Sequence, residues 1–297
     1  MTAAERGFLL LSSRLGDPER HPLSAPQLRR LTQRAGLLQE PEEDRELRAE
    51  DLIALGYGRE RAAQICGLLA EEEKLDRYLQ AAKLAECIPL TRITPEYPLA
   101  VRKRLGAESP GCLWAKGDLS LLDTPKVALV GSRDLEPLNY RFAEEAGRQA
   151  ALQGITLVSG NARGADRTAQ KACLEAGGRV IAVVADELSA KSIQPNVLYL
   201  SEESFELPFT SLRALSRNCV IHSLGALTLV AQCGCREGGT WSGTFKNLRA
   251  GWSRVYCCDD GSEASVLLEQ LGAVRIHTEQ LCDFTTLPVP QQSFFEG

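Results

Sequence analysis

The amino-acid sequence predicts an α/β protein: a Rossmann-like, doubly wound parallel sheet with an N-terminal helical domain. From residue 126 onward, short apolar runs alternate with amphipathic helical stretches, a pattern that specifies a parallel sheet covered on both faces. Before residue 87, apolar residues recur at helical spacing. A proline-rich connection separates the two regions. The predicted organisation is a helical domain at residues 1–93, a Rossmann-like domain with its proline-rich lead-in at 94–286, and a tail at 287–297.

The N-terminal third predicts several short helices. The stretch APQLRRLTQRAGLL places Leu28, Leu31 and Ala35 on one helical face. The stretch LIALGYGRERAAQI predicts two helices joined at Gly56–Gly58, either as a plain turn between packed helices or as a hairpin of the kind used on DNA backbones. The five prolines of residues 87–125 exclude a long helix there.

The remaining residues predict alternating strands and helices. The predicted strands are Val127–Val130, Ile155–Val158, Val180–Val184, Val197–Leu200, Ala226–Ala231, Val255–Cys257 and Val274–His277. The predicted helices are Tyr140–Leu152, Asp166–Ala176, Leu212–Leu224, Thr244–Ala250 and Ser262–Leu271. Sheets of this kind place their ligands beyond the carboxyl ends of the strands.

Composition narrows the class of protein. The formal net charge of −5 argues against a generic nucleic-acid coat but leaves room for a local basic groove. The ten cysteines contain no C-x-x-C pair and only three histidines accompany them, which favours buried structural thiols over a metal site. The apolar runs are too short for a membrane span, and the N-terminus lacks a basic signal start. We therefore expect a cytoplasmic protein that does not associate with membranes.

Two glycine-containing turns, VGSR and SGNARGAD, follow predicted strands. Glycine permits close approach of a ligand, free amides at a helix start favour an anion, and arginine grips phosphate. Together they predict a phosphate-binding shelf. The alternative is that Gly164 only caps a helix and Asp166 is an ordinary residue of its first turn. The candidate residues of the two turns are Gly131, Ser132, Arg133, Ser159, Gly160, Arg163 and Gly164.

Cofactor use and catalysis are not indicated by these motifs. VGSRDL lacks the G-x-G-x-x-G pattern, and Ser159–Gly160 stands where a dinucleotide site needs an acidic ribose ligand. No histidine lies near Ser132 or Ser159 in the sequence to act as a base. We expect no catalytic residues, no cofactor and no metal.

The ordered motifs YPLAVRKRL, SPGCLWAKGDLSLL, KVALVGSR and LVSGNARGADRTAQKACLEAGGRVIAVV resemble the DNA-processing protein A (DprA/Smf) family, as does the later segment LSRNCVIHSLGALTLVAQC. The resemblance covers about residues 94–273. It implies a homodimer that binds single-stranded DNA without catalysis and helps to load a RecA-type recombinase during natural transformation. It also implies that Arg133 contacts a DNA phosphate, that the SGNARGAD residues line the same pocket, and that Arg217 and Asn218 form the family's RN pair.

Several positions depart from the family pattern. Cys219 replaces the second arginine of the RNR motif, and Ala214–Leu215 replaces an aromatic–proline pair. Asp186–Leu188 replaces a glycine-ended turn, and CREGGTWSGTFKNL replaces a shorter serine-rich one. We expect the part of this last segment that precedes Thr244 to form a loop on the ligand side, with Trp241 as a candidate for stacking on nucleobases.

A rival interpretation is a nucleotide-binding or nucleotide-cleaving enzyme similar to the LOG phosphoribohydrolases, which share this fold. EGGTWSGTFKN is similar to their PGGxGTxxE signature, but Asn247 occupies the position of the catalytic glutamate. An amide cannot perform carboxylate chemistry, so Glu237 would have to replace it. A third possibility is a structural adaptor in which Arg133 forms an internal salt bridge.

Overall fold

Seven parallel strands and an antiparallel pair at one edge form a nine-stranded sheet. The computed structural model describes residues 1–35 and 47–289. The strands are β1 Ile88–Thr91, β2 Cys112–Gly117, β3 Lys126–Val130, β4 Thr156–Ser159, β5 Val180–Val184, β6 Val197–Glu202, β7 Leu227–Val230, β8 Arg254–Cys258 and β9 Val274–Ile276. The strand order is β1-β2-β6-β5-β4-β3-β7-β8-β9, in which β1 pairs antiparallel with β2 and β2 pairs antiparallel with β6.

Helices cover both faces of the sheet. They are α1 Ala3–Ser12, α2 Ala25–Ala35, α3 Ala49–Ala54, α4 Arg59–Leu69, α5 Glu72–Leu84, α6 Leu99–Leu105, α7 Pro137–Leu152, α8 Ala165–Glu175, α9 Ser211–Leu224, α10 Gly238–Ala250 and α11 Glu263–Gln270. Because both faces are covered, the central strands are apolar without alternation, and all five residues of β5 are buried. The predicted fold class is confirmed. None of the helices within the described ranges combines the length and apolar character that a bilayer span requires.

The chain reverses its direction of travel across the sheet between β3 and β7. After β3 it moves outward through β4, β5 and β6, and it then returns to place β7 on the other side of β3. Open α/β sheets bind ligands at such a switch point, in the crevice beyond the carboxyl ends of the two strands. The fold therefore predicts a ligand site at the turns that follow β3 and β7.

The N-terminal helices pack against the antiparallel edge of the sheet and share its core. Tyr78 of α5, Trp114 of β2 and Phe205 form an aromatic cluster with ring centroids 4.9 to 5.5 Å apart. The Tyr78 hydroxyl also lies 2.7 Å from the Ser204 hydroxyl. Strand β1 lies on the helical side of the boundary predicted at residue 93, so the sheet begins earlier in the chain than that division. The three-part division itself stays a prediction.

Two predicted elements differ from the structure. Helix α10 begins at Gly238 rather than Thr244, and it includes the segment expected to be a loop. The expectation failed because a Gly-Gly start has poor intrinsic helix propensity. At the other end of the chain, the first residues of the predicted tail are packed: Leu287 is buried, and the Tyr256 hydroxyl donates to the Pro288 carbonyl at 2.9 Å. Residues 290–297 of that tail lie outside the described residues.

Candidate phosphate-binding cleft

A cleft of about 770 Å³, here called the central cleft, opens at the switch point. Its walls are the turn Gly131–Asp134 after β3, one side of α9, and the start of α10. A second cavity of about 280 Å³, here called the side cavity, adjoins it beyond β4 and β5. Arg133, Phe209 and Arg217 line both cavities, so the two form one continuous depression.

The predicted glycines allow the two turns to pack on each other. A Cβ at Gly164, whose φ is +81°, would overlap the carbonyl oxygens of Ser132 and Arg133. The Ala165 amide donates to the Ser132 carbonyl at 3.1 Å, and the Ser132 amide donates to the Gln232 carbonyl after β7 at 2.9 Å. The VGSR and SGNARGAD turns are therefore brought together as predicted, but the space around Gly164 is filled by the protein backbone rather than left for a ligand.

Asp166 occupies the amides of the SGNARGAD turn. Its carboxylate accepts the Ala162 amide at 3.1 Å and lies 3.9 Å from Nη1 of Arg217. Burial raises the pKa of this carboxyl, while the neighbouring Arg217 opposes that shift. The alternative interpretation of this turn, in which Asp166 acts at the helix start, thus accounts for part of its chemistry. The turn supplies a floor for the site rather than a free set of donors.

Arg217 is the buried cation of that floor. Its side chain is only 8% exposed and passes directly over Gly160, where any Cβ would overlap the guanidinium. Its Nε and Nη1 atoms are buried and have no hydrogen-bond acceptor among the described residues. Burial lowers the pKa of the guanidinium, yet arginine remains charged at neutral pH. A buried cation with unused donors is suited to an anionic ligand that supplies the missing acceptors.

Arg133 and Arg163 differ in their availability. Arg133 is exposed at the mouth of the cleft, where its Cζ atom lies 5.7 Å from the ring centroid of Phe209. Within the described part of the chain it forms no ion pair. Arg163 instead donates to both carboxylate oxygens of Asp134, at 2.8 and 3.0 Å. Arg133 is therefore the free cation of the pair.

The N-terminus of α10 contributes a second source of positive potential. Gly238, Gly239 and Thr240 line the central cleft, and the N-cap residue Glu237 makes no side-chain capping hydrogen bond to this thirteen-residue helix. Thr240 donates its hydroxyl to the Gly131 carbonyl at 3.0 Å, and Asn218 donates to the Gly239 carbonyl at 3.0 Å. These bonds fix the helix start against the predicted site. Uncapped amides and the helix dipole favour an anion at this point, a feature that the sequence prediction missed.

Three residues singled out in the sequence lie away from the cleft. Ser159 is fully buried, accepts a hydrogen bond from Gln170 at 2.5 Å, and lines neither cavity. Cys219 packs against the apolar core instead of lining the cleft. Trp241 is 9% exposed and belongs to the core, because it lies on the buried side of α10 rather than in a loop.

Phe209, rather than Trp241, is the aromatic side chain that lines the site. It is 48% exposed and lies where the central cleft and the side cavity meet. Sequence reasoning missed it, since its only signal is a place in the LPF triplet before the Arg217 segment.

In the segment similar to the LOG signature, the residue at the position of the catalytic glutamate is Asn247, and its role here is structural. Asn247 is fully buried and donates to the Ser253 hydroxyl at 2.9 Å, while its carbonyl accepts the Ser253 amide at 2.9 Å. The neighbouring His222 is also buried, which lowers its pKa to about 3 and keeps it neutral. Glu237 is exposed at the rim of the central cleft. Across the described ranges, no three His, Cys, Asp or Glu side chains are placed to hold a metal ion.

The fold and this cleft define a Rossmann-like protein with a cationic crevice at its topological switch point. Residues 89–245 match the family described as DNA recombination-mediator protein A, and the chain belongs to that family. The family expected from the sequence motifs is therefore confirmed.

Individual relatives agree with this assignment. Protein Smf of Escherichia coli (strain K12) is 30% identical over 140 residues, which span 43% of this chain and 37% of that protein. DNA processing protein A of Streptococcus pneumoniae has a similar structure, with a TM-score of 0.73 and 23% identity over 95% of this chain and 97% of that one. A structure reported for the single-stranded DNA binding mode of DNA processing protein A from Helicobacter pylori has a TM-score of 0.55 and 23% identity, over 66% of this chain and 94% of that one.

Proposed function

We propose that this protein binds single-stranded DNA in the central cleft and the side cavity and acts in DNA recombination without catalysing a reaction. In this proposal Arg133, Arg217 and the first amides of α10 hold phosphate groups. The observation that carries it is the Arg217 guanidinium, which is buried at the floor of the cleft with two nitrogen atoms that find no acceptor among the described residues. Family membership supports the same conclusion, and one structural relative is described by its single-stranded DNA binding mode.

The arrangement of charges favours a phosphate over a carboxylate side chain as the missing partner. Asp166 compensates only part of the Arg217 charge, because the two groups are 3.9 Å apart and form no hydrogen bond. A buried cation is costly unless its donors are satisfied. A phosphate oxygen in the cleft would accept from Arg217 and Arg133 and would lie near the start of α10.

Phe209 explains why the nucleic acid would be single-stranded. Exposed bases stack on aromatic rings, whereas the bases of a duplex are already stacked on each other. Arg133 lies against the same ring, so a stacked base and the adjacent phosphate would be held by neighbouring side chains. In this proposal Phe209 replaces the aromatic that the family places at the position of Ala214.

The wider role follows from the family. We propose that the protein forms a homodimer in the cytoplasm and assists the loading of a RecA-type recombinase on single strands during natural transformation. An increase in the rate of recombinase assembly on single-stranded DNA when this protein is added would support this role. An unchanged rate, measured at a concentration that saturates the strand, would contradict it.

The binding proposal is tested by titrating labelled oligo-dT and duplex DNA at two salt concentrations. Wild type is expected to prefer the single strand. Arg133→Ala should weaken binding and reduce the slope of log affinity against log salt by about 0.7, the contribution of one phosphate contact on a single strand. The matched control is Arg77→Ala, which removes an exposed arginine of α5. Binding that is independent of salt, or equally weakened by both variants, would contradict the proposal.

A second measurement distinguishes the enzymatic alternative from the DNA-binding function. Nucleoside monophosphates are incubated with the protein and base release is followed. Hydrolysis that is lost in Glu237→Ala would favour the enzyme, since Glu237 is an exposed carboxylate at the rim of the cleft. Absence of hydrolysis together with salt-dependent oligonucleotide binding favours the DNA-binding function.

A further inference from the structure

We propose that the bound strand continues from the side cavity along helix α8, where Arg167 and Lys171 hold additional phosphate groups. This inference rests on the proposed function and extends its site to residues outside the glycine turns. A third cavity of about 500 Å³, here called the α8 groove, carries the argument. Asn161 and Arg167 line both the side cavity and the α8 groove, so the three depressions adjoin one another in series.

The character of the lining changes along this series. The central cleft is lined by two arginines, Arg133 and Arg217, together with three carboxylates, those of Asp134, Asp166 and Glu237. The α8 groove is lined by Arg167, Lys171 and Lys191, and the described residues that line it include no carboxylate. In a chain with a net charge of −5, this concentration of cations is local. Such a stripe is the electrostatic footprint of a polyanion.

The three cations of the α8 groove differ in how closely a carboxylate of the protein pairs with them. Arg167 is exposed, and its guanidinium forms no ion pair with any described residue. Lys171 is 75% exposed and meets Glu175 at 3.7 Å, a distance at which a solvated pair contributes little. Lys191 is held by Asp186 at 2.5 Å. Arg167 and Lys171 are therefore the groups most available to a ligand.

Their spacing on α8 fits a chain of phosphates better than a single one. Residues four apart lie on the same face of a helix and are separated by about 6 Å along its axis. Arg167 and Lys171 thus form a row that leads away from the side cavity. A mononucleotide held by Arg133 and Arg217 would leave this row without a ligand, whereas a continuous strand would occupy it.

The test compares a short oligo-dT of about 4 nucleotides with a long one of about 16, the range of single-strand site sizes in binding domains. Wild type is expected to bind the long strand more tightly per site. In Arg167→Ala/Lys171→Ala, the slope of log affinity against log salt should fall by about 1.4 for the long strand, the contribution of two phosphate contacts. Lys171 lines the α8 groove but not the side cavity, so Lys171→Ala alone should lower the long-strand slope by about 0.7. The short strand, which fits within the central cleft and the side cavity, should bind to Lys171→Ala as tightly as it does to wild type.

The matched control is Arg77→Ala/Lys83→Ala, which removes one arginine and one lysine from the exposed face of α5. All four side chains are at the surface, so circular dichroism should show unchanged folding. Equal effects of Lys171→Ala on both strands, or no effect of either α8 variant on the long strand, would overturn this inference while leaving the proposed function intact. Failure of wild type to bind any oligonucleotide would overturn both.

Discussion

Substitution of Gly160 by alanine would remove the space through which Arg217 reaches the floor of the cleft. A Cβ at this position would overlap Nη1 and Cζ of Arg217 and would lie 2.6 Å from Oδ2 of Asp166. The guanidinium must then move, and the Asp166 carboxylate is left buried without its partner. Breaking a buried pair costs about 3–5 kcal/mol. Replacing glycine also reduces the conformational entropy of the unfolded chain, which stabilises the folded state by about 0.4–1 kcal/mol. We expect a net destabilisation of about 2–4.6 kcal/mol.

The assay is urea denaturation of wild type, Gly160→Ala, Arg217→Ala and the double variant, analysed as a double-mutant cycle. If the overlap with Arg217 is the cause, Gly160→Ala should cost less than about 1 kcal/mol once Arg217 is alanine. The control is Gly67→Ala in α4, where an added Cβ meets no atom within 4 Å and helix propensity predicts a gain of about 0.5–1 kcal/mol. An equal cost of Gly160→Ala in both backgrounds would refute the reasoning.

Three further outcomes follow from individual side chains. Phe209→Ala should weaken single-strand binding by about 1–3 kcal/mol, as measured by titration, with an unchanged urea midpoint because the ring is half-exposed; undiminished binding would exclude stacking on this ring. Burial raises the pKa of Glu202 to about 7, so the folded state favours its protonated form and wild type loses up to about 3 kcal/mol of stability as pH rises from about 4.5 to 7. Glu202→Gln should therefore gain stability relative to wild type between about pH 5 and pH 8 in urea denaturation, and parallel pH profiles would contradict this assignment. Tyr78→Phe should cost about 0.5–1.5 kcal/mol in the same assay through loss of the hydrogen bond to Ser204, and a neutral result would show that this bond does not hold the helices to the sheet.

The central sheet was predictable from the sequence because strands buried on both faces must be apolar throughout. The run that forms β5 is an example, since every residue in it is buried. Strands β1 and β2 were not predicted. They lie in the proline-rich lead-in, where β1 contains Pro89. The two strands are recognisable only from their pairing, of β1 with β2 and of β2 with β6. Such antiparallel edge pairing has no local signal in so short a segment.

The position of the candidate site was predictable from the sequence, but which of its side chains are free to contact a ligand was not. The glycine turns follow strands that end at one edge, so their meeting could be expected from topology. The pairing of Arg163 with Asp134 and the burial of Ser159 depend on tertiary contacts. The contribution of the α10 N-terminus to the central cleft was not predicted, because Gly238 begins the helix without a recognisable capping residue before it.

The aromatic contact between α5 and the sheet has a consequence for synthesis of the protein on the ribosome. Tyr78 and its partner Ser204 are 126 residues apart in the chain. At a translation rate of roughly 5–20 residues per second, the inner face of α5 waits about 6–25 s for that partner to be made. During this interval Tyr78, which is buried in the finished protein, lacks the ring of Phe205 and the hydroxyl of Ser204. The inner face of α5 is thus made early in synthesis and completes its packing only after Ser204 and Phe205 have been made.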